Sequence, residues 1–175
     1  MSAGPQFDTI GPEPPVAPLA HLVLGYRDDE AGRAALDVGA DLAERLTATL
    51  HVVHVVDLSD YPIDPDDPDW ERRARARLAE EEQQVDAAMA SSRTTWSYHA
   101  AHGDPVALLR RTADAHDALM FVVGTRGEGA GGIVSRLLGP PSVSHGLIAR
   151  SHRPVVVCHG SGHPEGAPTA EGWSR

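Results

Sequence analysis

Leu119-Met120-Phe121-Val122-Val123-Gly124-Thr125-Arg126-Gly127-Glu128-Gly129-Ala130-Gly131-Gly132, followed by Gly139 and Ser142, is the stretch that decides the fold of this 175-residue chain. Its apolar run has no polar alternation, which suits a strand buried on both faces, as in a parallel sheet. Six glycines then fall within residues 124–139. Glycine admits positive φ, so successive N–H groups can converge on an anion. A helix beginning near Ser142 adds its positive amino-terminal end. Strand, glycine loop and helix start together describe a phosphate site. A plain glycine-rich surface loop is the competing reading.

Runs of the same kind occur at Leu22–Leu24, Leu50–Val56 and Pro154–Cys158, with a weaker one at Thr94–Ala101 carrying Trp96 and Tyr98. Helical patterns lie between them. Ala35, Val38, Leu42, Ala43 and Leu46 follow helical spacing from about Glu30 to Thr47. Trp70–Ala90 is rich in good helix formers. Pro105 suits a first helical turn, with Val106, Leu109 and Ala113 on the inner face. Ser142–Arg150 places Val143 and Leu147 four apart. The order β-α-β-α-β-α-β-α-β predicts an α/β fold, an open parallel sheet with right-handed crossovers. Ligands of such sheets bind beyond the carboxyl ends of the strands, so the loops after Leu24, Val56 and Val123 matter most. Residues 1–19 hold five prolines and residues 160–175 are rich in Gly, Pro, Ser and Glu. Both ends read as flexible tails around one domain at 20–159.

Composition excludes several functions. The 15 basic residues are all Arg, and the chain has neither Lys nor Asn. A Walker A loop and Schiff-base chemistry both need Lys. N-glycosylation needs Asn. A net charge of −10 with no basic patch argues against a nucleic-acid partner. The single Cys158 permits no intrachain disulfide and fits a reducing compartment. No apolar run approaches the ~20 residues of a membrane span. No secretory signal is visible, so a cytoplasmic location is expected. His51 and His54 lie three apart on a strand, on opposite faces, and cannot chelate one ion together; His99 and His102 share the problem. No metal constellation emerges from the sequence. The aspartates from Asp57 to Asp69 alternate with Pro62, Pro65 and Pro68 and read as a solvated loop. Cys158 ends a buried-looking strand and reads as core.

The order and spacing of four pieces resemble the universal stress protein family over residues 20–158. They are His51-Val52-Val53-His54-Val55-Val56-Asp57, Gly103-Asp104-Pro105, Phe121-Val122-Val123-Gly124-Thr125-Arg126-Gly127, and Ser142-Val143-Ser144 leading to Pro154-Val155-Val156-Val157. The resemblance implies a five-stranded parallel sheet, order 3-2-1-4-5, with helices on both faces (adenine nucleotide alpha hydrolase-like). It implies a homodimer through the strand at 154–158, and ATP or another adenine nucleotide as ligand, with Mg²⁺ as an accompanying ion. Carried over by position, the ligand residues are Gly25, Arg27, Val55, Val123, Gly124, Arg126, Gly127, Gly139, Ser142, Val143 and Ser144. The glycines and Ser142–Ser144 would hold phosphates. Val55 and Val123 would pack the base or ribose.

The family motif, Gly-x2-Gly-x9-Gly-Ser/Thr, is met imperfectly. Gly124 and Gly127 reproduce its first half, but eleven residues separate Gly127 from Gly139. Pro140 and Pro141, which lack N–H groups, intervene before Ser142. Glu128 adds a carboxylate near the phosphates, which Arg126 or Arg136 would offset. The family places Asp where this chain has Arg27, exchanging an acceptor for a five-donor cation that could pair with Asp28, Asp29 or Asp57. A nucleotide-binding stress-response protein is the leading expectation. A dimeric interaction module that has lost the nucleotide is the alternative. No positioned base with an orienting partner is visible, so no enzyme is expected, and a slow nucleotide hydrolase ranks last.

Overall fold

The computed structural model describes residues 8–10, 20–56, 69–125 and 142–160. Six strands and four helices lie within them: β1 (Asp8–Ile10), β2 (Ala20–Tyr26), α1 (Glu30–Leu46), β3 (Ala48–Val56), α2 (Trp70–Met89), β4 (Trp96–His102), α3 (Pro105–Ala115), β5 (Met120–Thr125), α4 (Val143–Arg150) and β6 (Val155–His159). They form one sheet in the order β1-β4-β3-β2-β5-β6. The five strands from β2 onward pair in parallel, as the apolar runs predict, and in the order the family resemblance implies. β1 departs from the expectation. It pairs antiparallel with β4, Asp8 opposite His99 and Ile10 opposite Ser97, so part of the segment read as a flexible tail is a sheet edge. Three residues are too few to show a period. The tail assigned to 161–175 and the Asp loop from 57 to 68 lie outside the described residues.

Strand alternation divides the core into two layers. Leu22, Leu24, Leu50, Val52, Trp96, Tyr98, Val122 and Cys158 face α1 and α2. Val23, Val53, Phe121 and Val123 face α3 and α4, where they meet Val106, Leu109, Ala113 and Leu147. Both layers are needed because every inner strand of a parallel sheet is covered on both faces. Cys158 takes its expected place in the core, and burial pushes its thiol pKa up.

Local chemistry sets the helix starts. Asp29 caps α1 by accepting the Gly32 N–H at 2.7 Å. Asp104 caps α3 by accepting the Ala107 N–H at 2.9 Å, with Pro105 in the first turn. Ser142 caps α4 by accepting the His145 N–H at 3.3 Å. Each side-chain oxygen satisfies an amide that has no partner within its helix. α3 ends in a Schellman turn: Asp117 is left-handed at φ 47, and the Ala118 N–H reaches back to the Ala113 carbonyl at 2.8 Å.

Candidate functional site

The strand order reverses between β2 and β5, where ligands of open α/β sheets bind. Gly25 sits at this point, opposite Val53 on one side and Val123 on the other. A side chain on Gly25 would meet Leu109 and Val123 methyls at 3.2 Å. Gly25 and Gly124 therefore lie at the carboxyl ends of adjacent strands, as predicted.

The neighbours of these residues add packing roles to their place at the edge. A Cβ on Gly124 would lie 2.6 Å from the carbonyl carbon and oxygen of Ala31. Gly124 thus makes room for the first turn of α1. Val123 is only 2% exposed and belongs to the core under α3 and α4, whereas Val55 is partly open. Arg27 is half-exposed and has Asp29 as its ion-pair partner at 3.6 Å. That contact is one of the three pairings the sequence allowed, and at a wet surface it is worth under about 1 kcal/mol.

Ser142, Val143 and Ser144 form the start of α4, with the two serine hydroxyls 3.2 Å apart and exposed to partly exposed. α4 runs between β5 and β6, so its amino terminus opens at the same sheet edge as Gly25 and Gly124. It packs closely on α3, since a Cβ at Gly146 would come within 2.7 Å of a Val106 methyl. Arg126, Gly127 and Gly139 lie outside the described residues.

A second polar group lies at the other end of the strands, and sequence reasoning missed it. His21 is the second residue of β2, His51 lies on β3, and His116 caps the carboxyl end of α3. One ring nitrogen from each falls within 4.8 Å of the others. His21 Nδ1 and His51 Nε2 are 3.0 Å apart. His51 Nδ1 lies 2.8 Å from Ser97 Oγ, which is 2.7 Å from His99 Nε2. The rings of His51 and His116 stack at 3.8 Å between centroids. His51 is 4% exposed. Burial, then the neighbouring His116, His21 and His99, hold its pKa down to about 3, so the ring is neutral at ordinary pH. Burial and His116 also lower the pKa of His21, with Asp117 opposing them. A pocket of about 220 Å³ opens beside the group and is lined in part by His99, Arg111, Thr112 and His116.

His54, on the opposite face of β3 as predicted, has a different partner. Its Nε2 lies 2.9 Å from Glu81 of α2, and both side chains are under a tenth exposed. Burial alone would raise the Glu81 pKa, but the His54 and Arg77 contacts outweigh it and lower the value. Among the described residues, no helix is long and apolar enough to cross a membrane.

This architecture has close counterparts. The family model described as Universal stress protein family matches residues 19–159. No curated protein sequence matches the chain. Among solved structures, universal stress protein UspA from Lactobacillus plantarum is 21% identical with a TM-score of 0.57, covering 82% of this chain and 99% of its own. A universal stress protein in complex with cAMP is 26% identical with a TM-score of 0.56, covering 83% and 100%. A universal stress protein family member from Burkholderia pseudomallei is 22% identical with a TM-score of 0.58, covering 79% and 94%. With the matched span covering all five parallel strands, in their order, the chain belongs to the universal stress protein family.

Proposed function

We propose that this chain is a non-enzymatic binding protein of the stress response that takes an adenine nucleotide at the carboxyl edge of β2 and β5. One observation carries the reading. Gly25 and Gly124 lie at the point of strand reversal, and the Ser142 cap of α4 opens at the same edge. The 26% identical neighbour in complex with cAMP supports the choice of an adenine nucleotide. In this reading the phosphates lie against the α4 amino terminus, where the Ser142 and Ser144 hydroxyls and the helix dipole favour negative charge. The sugar and base lie toward Gly25 and Val55. The chain has no Lys, so hydroxyls, backbone N–H groups and arginine supply every donor, and Mg²⁺ is the natural counter-ion. Arg27 is the main point of difference, because it offers donors where the family has an acceptor.

Titrating ATP, and separately cAMP, with Mg²⁺ into denatured and refolded protein tests this. Saturable binding that weakens about tenfold or more in a Ser142→Ala, Ser144→Ala double variant is expected, each lost charge-assisted bond costing about 1.5 kcal/mol or more. Absence of binding at millimolar nucleotide overturns the reading. Hydrolysis above background that is lost in the same variant overturns its non-enzymatic part.

A second reading is favoured by β6. It is the last strand of the sheet, and Val155, Val156 and Val157 are only partly buried. An apolar open edge invites pairing with a second copy of the chain. Sedimentation across a concentration series tests this directly, and a monomer at all concentrations sinks it.

A further inference from the structure

We propose that His21, His51 and His116 form a binding site for a divalent transition-metal ion, zinc foremost, at the amino-terminal end of the sheet. The site lies at the far end of the strands from the nucleotide edge, and neither reading depends on the other. Three imidazole nitrogens within 4.8 Å of one another already approach a chelating arrangement. A tetrahedral ion with bonds of about 2.0–2.1 Å needs its ligand nitrogens roughly 3.3 Å apart. His21 Nδ1 and His51 Nε2, at 3.0 Å, are close to that separation. His116 must turn out of its stack on His51, a side-chain rotation at a helix end. Three nitrogen ligands without a carboxylate suit Zn²⁺, Cu²⁺ or Ni²⁺ and not Mg²⁺ or Ca²⁺, which want oxygen.

The surroundings prepare the ligands. Read from His51 Nδ1–H to Ser97 Oγ–H to His99 Nε2, the hydrogen-bond chain leaves the His51 lone pair on Nε2, facing His21. A partly buried hydroxyl, here Ser97, that fixes the far nitrogen of a ligand histidine is the outer support such sites use.

His116 is fixed from behind by its place in the Schellman turn. Arg153 braces that turn, donating from Nε to the Ala118 carbonyl at 2.7 Å and pairing with Asp114 at 2.6 Å. The negative end of α3 favours a cation beside its cap. The pocket lined in part by His99 and His116 gives an approach to the group from the His116 side. Arg111, on the pocket wall, disfavours the cation, while Asp117 near His21 favours it.

Full-length protein stripped with a chelator is titrated with Zn²⁺ by calorimetry and with Co²⁺ by visible absorption. One ion per chain, intense tetrahedral d–d bands with Co²⁺, and a melting temperature several degrees higher with Zn²⁺ are expected. His116→Gln, at a partly exposed position, should weaken binding by more than about a hundredfold, and Ser97→Ala by about tenfold. His152→Gln, on an exposed residue outside the group, should change nothing. The proposal is overturned by any of three results: no one-to-one binding at micromolar Zn²⁺, binding unchanged in both His116→Gln and His21→Gln, or a His152→Gln loss equal to theirs.

Discussion

The two ends of the sheet differ in what holds them. The carboxyl edge, at Gly25, Gly124 and the start of α1, is packed by the absence of side chains. Gly124 lies against the Ala31 carbonyl, and a Cβ on Gly32 would come 1.9 Å from the Arg27 carbonyl oxygen. The amino end is packed by polar side chains, with four histidines and Ser97 sharing hydrogen bonds and ring contacts. The first arrangement is rigid backbone with functional groups only at its rim. The second is a cluster of titratable groups tucked under α3. Stability at the first is a matter of sterics, and at the second a matter of protonation.

Gly32→Ala strikes the carboxyl edge hardest. In an open helix this change would gain about 1 kcal/mol from propensity. Here the new methyl meets a backbone carbonyl that no side-chain rotation can move, so α1 must shift. A net loss of about 3 kcal/mol or more is expected in urea unfolding. A variant as stable as the parent would show that the edge is not held by backbone contact.

Acid strikes the amino end. His51, with its folded pKa near 3, stays neutral while the unfolded chain takes up a proton near pH 6.5. Between those values the unfolded state binds more protons, so stability is complete above about pH 6.5 and falls as pH drops toward 3. His21 adds to the same slope; Glu81, paired with His54 on the other face of β3 and away from this end, adds a separate loss at still lower pH as its lowered folded pKa is passed. In chelator-treated protein the loss should reach about 2 kcal/mol near pH 4.5. A His51→Gln variant should flatten much of that window. An unchanged slope in the variant would remove protonation as the difference between the two ends.

Arg27→Asp is the mildest change. The residue is half-exposed and its ion pair with Asp29 is long, so stability should move by no more than about 0.5 kcal/mol. Restoring an acceptor where the family has one should tighten adenine-nucleotide binding about tenfold, measured by titration. Weaker binding would instead make Arg27 itself a ligand contact.

Much of the frame was legible along the chain. Leu50–Val56 and Leu119–Val123 announced buried strands because continuous apolar runs carry that meaning locally. Asp29, Asp104 and Ser142 marked helix starts for the same reason. The carboxyl-edge glycines are found by their place after the strands, but the packing of Gly124 on α1 is not legible there. A glycine that admits an anion and one that admits a helix look alike until the helix is in place.

The sequence by itself determined the strands, the helices and their order, because hydrophobic period and capping act over a few residues. Only the tertiary structure decided that β1 closes an edge and that His21, His51 and His116 meet. They are 30 and 65 residues apart, on two strands and a helix end, and nothing in their local spacing encodes the meeting. The parallel register puts His51 one pleat from His21, and the Schellman turn of α3 returns His116 to the same place. That convergence is a product of crossover geometry, which no pattern within a single segment records.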